Sequence, residues 1–245
     1  MSAEPKRNPE ADTPLVAMRD VVFAWSPGAA PVLEIPGLEV AAAERIFLRG
    51  PSGSGKSTLL SLLAGVVLPQ TGSVRVLGRE LTKLGGPDRD RFRADHIGFV
   101  FQLFNLIPYL SVVENVTLPC LFSGRRRTRA EAAGGTVRGE ARRLLRQLDM
   151  DDPALLRRRV TELSVGQQQR VAAARALIGA PELVVADEAT SALDADRREA
   201  FLDLLFRECE RAGAAVVFVS HDASVAHLFD RTVELGALNR ATATA

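Results

Sequence analysis

The feature that most constrains this chain is a glycine-rich segment between an apolar run and an apolar helix. It fits the pattern G-x-x-x-x-G-K-[ST] and consists of Gly50, Pro51, Ser52, Gly53, Ser54, Gly55, Lys56, Ser57 and Thr58. Residues 45–49 before it have the β-branched and aromatic character of a buried strand, and residues 57–64 after it show helical apolar spacing. In such a loop, successive backbone N–H groups can surround phosphates at a helix N-terminus. The segment therefore predicts a nucleoside triphosphate site.

Two side chains of this loop can act on the bound phosphates. Lys56 would reach the β- and γ-phosphates, and the hydroxyl of Ser57 would be a ligand of Mg²⁺. A glycine- and serine-rich turn without a function is the alternative for the bare pattern. The flanking strand and helix argue against that alternative.

Length and composition exclude several classes of protein. A chain of 245 residues with 47% hydrophobic residues and a formal net charge of +1 is typical of a globular α/β domain without a strong overall field. The N-terminus is polar, and no run approaches the ~18 apolar residues of a membrane span, so we expect a cytoplasmic protein. Cys120 and Cys209 lack C-x-x-C spacing, which predicts buried free thiols in a reducing compartment.

Short β segments dominate the first third of the chain. We predict strands at 15–25, 32–35, 38–40 and 45–49, a turn at 68–73, and a strand at 74–76. Their close spacing predicts an antiparallel sheet that covers the nucleotide end. Trp25 closes the first strand, where it could be either a core aromatic or a ligand contact.

The middle of the chain is helical in composition. Residues 111–163 are rich in arginine and leucine, and Gly124, Gly134 and Pro153 divide them into about three predicted helices. We interpret residues 104–165 as an inserted helical subdomain. Its arginine runs, at 125–127, 142–143 and 157–159, could face phosphates of lipid or nucleic acid. A solvated helix face is favoured, because no aromatic residues alternate with the arginines.

Helices and strands alternate through the last third of the chain. The predicted elements are a helix at 171–178, a buried strand at 183–186, a helix at 195–211, a buried strand at 215–219, a helix at 223–228 and a strand at 232–235. This alternation predicts an α/β fold with a mostly parallel sheet flanked by helices. Residues 15–240 are expected to form one domain, with tails at 1–14 and 241–245.

Polar residues follow three apolar strands: Gln102, the pair Asp187 and Glu188, and His221. Parallel strands open their carboxyl ends on one edge, which is also the edge of the phosphate loop. Asp187 is then a second ligand of Mg²⁺, Glu188 a general base or water-orienting group, and His221 a donor that senses the γ-phosphate. A solvated strand end, a surface acidic pair and a structural histidine are the alternatives. His96 and His227 have no such placement, and we expect them at the surface or in packing.

Over residues 18–235 the chain resembles the ATPase subunit of an ABC transporter. The motifs that carry the resemblance stand in the family's order: 50–58, Gln102, 163–167, 187–190, 191–194 and His221. The resemblance implies a P-loop NTPase core with an N-terminal antiparallel β subdomain and an inserted helical subdomain. It also implies that the chain binds ATP and Mg²⁺ and hydrolyses ATP, with Lys56, Gln102, Glu188 and His221 as its catalytic residues.

The resemblance further implies that two such subunits pair head to tail. Ser164, Gly166 and Gln167 would then close over the γ-phosphate held by the other subunit, because a serine hydroxyl and a helix N-terminus form an anion site. Residues 191–194 would lie along the subunit interface.

Three other roles follow from the same resemblance. Trp25 would stack on adenine, Gln102 would contact Mg²⁺ or the attacking water, and residues 103–109 would carry movement to a transporter partner. Two positions depart from the common motifs, Val165 in place of a glycine and Ala189 in place of a proline. Neither removes a group that contacts phosphate.

Residues 93–108 and 112–116 are similar to the group that serves lipoprotein release and macrolide export, and the cell-division ATPase is also close. The expected partners are a second ABC ATPase chain and an integral membrane permease of the macrolide-export or cell-division type. Such a chain would sit on the inner face of the cytoplasmic membrane. The alternatives are a soluble ABC-type ATPase acting on nucleic acid or ribosomes, a cell-division-type ABC ATPase that signals through its membrane partner without transport, and a small-molecule kinase. No nucleic acid partner is expected.

Overall fold

The computed structural model describes residues 13–190, residue 193 and residues 195–241. The strands are β1 (Val16–Phe23), β2 (Leu33–Val40), β3 (Arg45–Arg49), β4 (Thr71–Val76), β5 (Arg79–Glu80), β6 (Ile97–Val100), β7 (Leu183–Asp187), β8 (Ala215–Val219) and β9 (Arg231–Glu234). The helices are α1 (Lys56–Leu63), α2 (Gly86–His96), α3 (Val112–Thr117), α4 (Pro119–Phe122), α5 (Gly124–Gly134), α6 (Val137–Gln147), α7 (Pro153–Arg157), α8 (Val165–Leu177), α9 (Ala195–Ala212) and α10 (Leu235–Leu238). Short 3-10 helices cover Leu81–Lys83, Val160–Glu162 and Ala223–Leu228. The described residues leave out most of the two predicted tails. They also leave out three residues of the predicted interface segment, Ser191, Ala192 and Asp194.

A five-stranded parallel sheet forms the centre of the fold. Its strand order is β6-β7-β8-β3-β9, and every pairing is parallel. The apolar runs of β7 and β8 are buried because other elements cover both faces of the sheet. The carboxyl ends of β3, β6, β7 and β8 open on one edge, where the phosphate loop, Gln102, Asp187 and His221 follow. The predicted α/β fold is confirmed.

Alternate residues of the central strands point to opposite sides of this sheet. Phe47 and Val184 belong to an apolar cluster with α9 and with the helices between residues 112 and 177. Ile46 and Val185 belong to a second cluster with α1 and the antiparallel sheet. The helical region therefore shares its core with one face of the parallel sheet.

The N-terminal strands form the predicted antiparallel sheet, in the order β2-β1-β4-β5. Three details of the prediction were wrong. β2 runs unbroken through Pro36, because it is an edge strand and needs no hydrogen bond from that position. β3 joins the parallel sheet instead. β4 begins at Thr71, within the predicted turn, because Gly72 has φ +85° and lies against the backbone of Asp20, where a Cβ would come within 2.3 Å of the carbonyl oxygen.

Several helix boundaries also differ from the prediction. The helical region has five α-helices, α3 to α7, instead of about three, and Gly124 begins α5 with Ser123 as its N-cap. α8 begins at Val165, six residues earlier than predicted, because Ser164 and Gln167 form a capping box. The prediction missed α2 and α10, and the segment predicted as a helix at 223–228 is a 3-10 helix.

The first arginine run has one buried member, Arg126, between two exposed ones. Arg126 is buried, and its Nη2 donates to the carbonyl oxygen of Ala176 at 2.5 Å. Arg125 and Arg129 form ion pairs with Glu182 at 2.6 and 2.9 Å. Burial alone would raise the pKa of Glu182, but hydrogen bonds from His96 and Arg125 outweigh it and bring the pKa to about 2. The predicted solvated face is therefore wrong for Arg126, whereas Arg125 and Arg127 are exposed as predicted.

The other two arginine runs, at 142–143 and 157–159, were also predicted to be exposed to solvent, and this is correct for all but one of their residues. Arg142 and the run at 157–159 are exposed, but Arg143 pairs with the buried carboxylates of Glu140 and Glu208, each at 2.8 Å.

Cys120 and Cys209 are buried and free, as predicted. None of the helices in the described part of the chain is both long enough and apolar enough to cross a membrane.

Candidate functional site

The phosphate loop connects β3 to α1 and leaves the N-terminus of that helix open. Gly55 is the N-cap residue with φ 94°, and no side chain caps the helix. A Cβ at Gly55 would come within 2.7 Å of Cδ2 of Leu33, so both the conformation and the space require glycine. The first backbone N–H groups of α1 therefore lack side-chain acceptors, which leaves them able to bind an anion.

Lys56 places its charge at the mouth of the same loop. Its side chain is buried, and Nζ donates to the carbonyl oxygens of Gly50 and Pro51, both at 2.8 Å. Among the described residues no carboxylate forms an ion pair with this ammonium group, although Asp187 is near enough for the two charges to interact. It can therefore attract the phosphates of a nucleotide bound in the loop.

Asp187 lies next to Ser57, as the sequence predicted. Burial raises the pKa of this carboxyl group, and a hydrogen bond from Ser57 opposes the shift. A hydroxyl and a carboxylate oxygen fit the hard oxygen donors that Mg²⁺ prefers when it is shared between one or two side chains and substrate phosphates. Among the residues that the structure describes, no group of three or more His, Cys, Asp or Glu side chains could hold a metal ion by itself.

Glu188 lies between two other predicted site residues. Nε2 of Gln102 donates to Oε2 of Glu188 at 3.3 Å, and Nδ1 of His221 lies 3.3 Å from Oε1. An ionised carboxylate only accepts, so Nδ1 carries the proton when His221 makes this contact. Two side chains that follow different strands, Gln102 and His221, thus contact the carboxylate group of Glu188, which follows a third strand.

The backbone at Glu188 has an unusual conformation. Its φ of 45° lies in the left-handed region that is rare for residues other than glycine. The N–H of Glu188 donates to the carbonyl oxygen of Val219, at the end of the neighbouring strand β8, at 2.9 Å. This bond fixes the carboxylate relative to the segment that carries His221.

Ser164 forms a second helix N-terminus, at the start of α8. Its Oγ accepts from the N–H of Gln167 at 3.3 Å, and Oε1 of Gln167 accepts from the N–H of Ser164 at 2.9 Å. Because the hydroxyl acts as an acceptor in this box, its own O–H remains available as a donor. It can act together with the N–H groups of Val165 and Gly166, which have no partner within the helix.

The phosphate loop and the N-terminus of α8 border separate cavities. The cavity beside Ser164 has a volume of about 330 Å³ and is lined by Val165, Gly166, Leu193 and neighbouring residues. The cavity beside the phosphate loop has a volume of about 580 Å³. Among the residues that the structure describes, the two cavities have no lining residue in common. Ser164, Gly166 and Gln167 thus line a different cavity from the phosphate loop of the same chain.

Trp25 is exposed at the turn after β1. Its side chain is 63% exposed and packs edge-on against Phe23, with ring centroids 5.1 Å apart. Phe23 pairs with Leu33, the residue that packs against Gly55 in the phosphate loop. The core alternative for Trp25 was wrong. Its stacking on adenine stays a prediction.

One interaction near His221 could not have been found from the sequence. Arg198 of α9 forms an ion pair with Asp222, and its Nη2 donates to the carbonyl oxygen of Leu193 at 2.9 Å. The sequence around Arg197 and Arg198 does not indicate which of these two adjacent arginines would pair with Asp222. The pair connects the residue after His221 to the segment before α9.

Comparison with known proteins identifies this arrangement. The family model of the ABC transporter matches residues 33–191. The chain belongs to the ABC transporter family. The resemblance inferred from the motifs is therefore confirmed, and the chain is an ATP-binding, ATP-hydrolysing ABC subunit.

The relatives of this ABC ATPase fall in the group suggested by its sequence. It is 42% identical to the lipoprotein-releasing system ATP-binding protein LolD of Anaeromyxobacter dehalogenans, over 91% of each chain. It is 36% identical to the macrolide export ATP-binding/permease protein MacB of Rhodopseudomonas palustris, over 93% of this chain and 31% of that protein. The solved dimer of the ATP-binding cassette MJ0796 in a post-hydrolysis state, bound to ADP and Pi, matches with a TM-score of 0.75 and 34% identity, over 89% of this chain and 93% of that one.

Proposed function

We propose that two copies of this ABC ATPase pair head to tail and drive a membrane permease of the lipoprotein-release or macrolide-export type. The observation that carries the pairing is the separation of the two helix N-termini. The open N-terminus of α1 holds Lys56 and Ser57, whereas Ser164 borders a different cavity of the same chain. A second copy can supply the missing donors, and the solved relative MJ0796 is dimeric.

The chemistry of this site is hydrolysis of the γ-phosphate of ATP. Glu188 would accept a proton from the attacking water, and Gln102 and His221, which contact its two oxygens, would hold it in place. Lys56 would stabilise charge on the phosphates. Ser57, Asp187 and Gln102 would hold Mg²⁺, which neutralises phosphate charge when bound.

A groove between the sheet and the helical region supports the permease as partner. Its volume is about 790 Å³, and its lining includes Phe99, Phe101 and Phe122. Phe122 is 72% exposed, and Leu103 and Tyr109, in the segment that follows Gln102, are 83% and 74% exposed. Four arginines also line the groove, but Arg91 and Arg93 pair with Asp88 and Asp90, and Arg126 and Arg175 are buried. Large exposed apolar side chains around such a groove favour a protein interface over a nucleic acid site.

The printed names of the relatives support the type of permease. The macrolide export protein is named as an ATP-binding and permease protein in one chain, and the lipoprotein-releasing protein as the ATP-binding part of a system. We propose that this chain serves the same kind of permease from the inner face of the cytoplasmic membrane.

Substitution of the general base tests the pairing and the chemistry together. Glu188→Gln should lower hydrolysis about 10³-fold, because an amide cannot accept the proton, while MgATP binding persists and the dimer accumulates. Light scattering with MgATP would show the dimer. Glu199→Gln, at an exposed carboxylate outside the site, should remain at the wild-type rate. Wild-type turnover in Glu188→Gln would remove Glu188 from its assigned role.

Substitution in the groove tests the partner. Phe122→Asp should abolish co-purification with a detergent-solubilised permease of the lipoprotein-release or macrolide-export type, because it replaces an exposed aromatic ring of the groove with a charge. Leu121→Asp is the matched control, since Leu121 is 68% exposed but is not among the residues that line the groove. Retention of the chain on nucleic acid at physiological salt, without permease binding, would support the soluble alternative.

A further inference from the structure

The segment that follows Gln102 contains strained backbone. Phe104 and Asn105 are consecutive and have φ values of 59° and 47°, in the left-handed region. A bulky residue such as phenylalanine rarely adopts this conformation, so the surrounding structure must hold it there. We call residues 102–110 the Gln102 loop.

Arg175 of α8 holds this loop by its backbone. Its Nη2 donates to the carbonyl oxygen of Phe104 at 2.5 Å, and its Nη1 donates to the carbonyl oxygen of Asn105 at 2.6 Å. The side chain is only 9% exposed, and burial lowers its pKa. Among the described residues, no carboxylate forms an ion pair with Arg175. Its charge is therefore compensated mainly by the two carbonyl groups of the loop.

The same helix carries Ser164 at its other end. Arg175 lies eleven residues beyond Ser164, which corresponds to about 16 Å along an α-helix. The C-terminal part of α8 lies directly on β6, because a Cβ at Gly98 would come within 2.3 Å of the carbonyl oxygen of Ala176. A helix is stiff over this length, so a movement at Ser164 also moves the guanidinium group of Arg175.

The loop in turn carries Gln102 to Glu188. Gln102 precedes Phe104 by two residues, and its amide contacts the Glu188 carboxylate at 3.3 Å. The far end of the loop is held separately, by the fully buried side chain of Asn115, which accepts from the N–H of Ile107 at 2.7 Å and donates to its carbonyl oxygen at 3.1 Å. Arg175 thus connects α8 to the part of the loop nearest the reacting groups by direct hydrogen bonds, in addition to the packing of α8 on β6.

We infer that Arg175 is a positioning residue that couples α8 to the Gln102 loop, so that docking of Ser164 on a partner's nucleotide also sets the position of Gln102 beside Glu188. This inference rests on the proposed head-to-tail pairing. Arg175 touches no substrate itself, and it acts through the carbonyl groups of Phe104 and Asn105. It also lines the apolar groove, so an occupant of that groove would bear on the same connection.

Arg126 provides a matched control within the same groove. It is buried to a similar degree, with 3% exposure, and burial lowers its pKa to about 10. It also donates to α8, at the carbonyl oxygen of Ala176, but its hydrogen bond does not reach the Gln102 loop. Arg126→Met and Arg175→Met therefore each remove a buried guanidinium group and its hydrogen bonds. Only Arg175→Met removes hydrogen bonds to the Gln102 loop.

The first test is steady-state hydrolysis by the purified chain. Arg175→Met should lower kcat about 10-fold or more, with KM for ATP within about 3-fold of wild type, because the phosphate loop is untouched. Arg175→Lys should recover part of kcat, since one ammonium cannot hold two carbonyl groups in a fork. Arg126→Met should change both constants less than about 3-fold. Equal loss of kcat in Arg126→Met and Arg175→Met would overturn the inference, as would wild-type kcat in Arg175→Met.

The second test is hydrogen exchange in the Glu188→Gln background with MgATP. On dimer formation, the amides of residues 102–110 should gain protection in the parent chain and with Arg126→Met. With Arg175→Met they should not, although the phosphate loop amides still gain protection. The same gain in all three chains would overturn the inference and leave the proposed function intact. A parent chain that binds MgATP without forming a dimer would instead overturn the proposed pairing, and this inference with it.

Discussion

The N-termini of α1 and α8 differ in whether side chains already accept hydrogen bonds from their backbone N–H groups. At α1, Gly55 provides no side-chain cap, and the adjacent Lys56 adds a positive charge. At α8, Ser164 and Gln167 cap the helix reciprocally, and the hydroxyl proton of Ser164 remains available as a donor. The first terminus can therefore hold a polyphosphate by itself. The second has fewer free donors and suits a phosphate that is already held elsewhere.

The strongest way to break this comparison is to remove the charge at α1. Lys56→Ala should lower hydrolysis about 10³-fold and weaken ATP binding, because the loop loses the cation that faces the phosphates. Binding of a fluorescent ATP analogue and phosphate release would measure the two effects. Lys83→Ala, at a lysine that is 76% exposed and pairs with Glu80, should leave both unchanged. A similar loss in both variants would contradict a specific role of Lys56.

A large charged side chain at the N-terminus of α8 should lower hydrolysis without weakening ATP binding, unlike Lys56→Ala. Ser164→Arg should lower hydrolysis about 100-fold, because the side chain blocks the helix N-terminus and removes the hydroxyl donor. ATP binding by the isolated chain should stay within about 3-fold of wild type, since the phosphate loop is complete without Ser164. Equilibrium binding and turnover on one preparation would separate these effects. Loss of ATP binding by the isolated chain would show that the comparison is wrong.

Paired glycine substitutions sharpen the comparison. Gly55→Ala should destabilise the fold by about 2 kcal/mol, because φ is positive and Leu33 occupies the space. Gly166→Ala should keep the melting temperature, because its Cβ would meet Cδ2 of Leu193 at an ordinary 3.6 Å. We still expect hydrolysis to fall about 10-fold, since the methyl group would stand where the partner's phosphate approaches. Thermal melting and turnover of the two variants test this contrast.

The smallest effect should come from the capping box. Gln167→Ala removes the acceptor for the Ser164 N–H but leaves the serine hydroxyl, so we expect a loss of about 0.5 kcal/mol in stability and a 2- to 3-fold lower turnover. Ser164→Ala removes the cap and the donor together and should lower turnover about 10-fold. Equal turnover in the two variants would show that the hydroxyl of Ser164 does not act on phosphate.

Short-range patterns were sufficient to predict the nucleotide side of the fold. The apolar strands at 183–187 and 215–219 and the phosphate loop each have a local signature, and the parallel order follows from their alternation with helices. The convergence of Gln102 and His221 on Glu188 then follows from the position of each residue at a strand end.

The sequence predicted tertiary contacts of arginine poorly. Arg126 and Arg175 lie in helices with ordinary local patterns, yet both are buried and donate to carbonyl groups far away in sequence. A glycine misled the prediction where it serves close packing instead of a turn, at Gly72, which lies within β4 against the backbone of Asp20. Such positions depend on which backbone comes near, and that is decided by the whole fold.

The shared site can be tested most directly by mixing two inactive variants, Lys56→Ala and Ser164→Arg. In a head-to-tail pair of unlike chains, one site combines the intact Lys56 of one chain with the intact Ser164 of the other. Hydrolysis should therefore recover on mixing, to about a quarter of the wild-type rate when chains pair at random. A mixture that remains as inactive as its two components, at every ratio tried, would contradict the account.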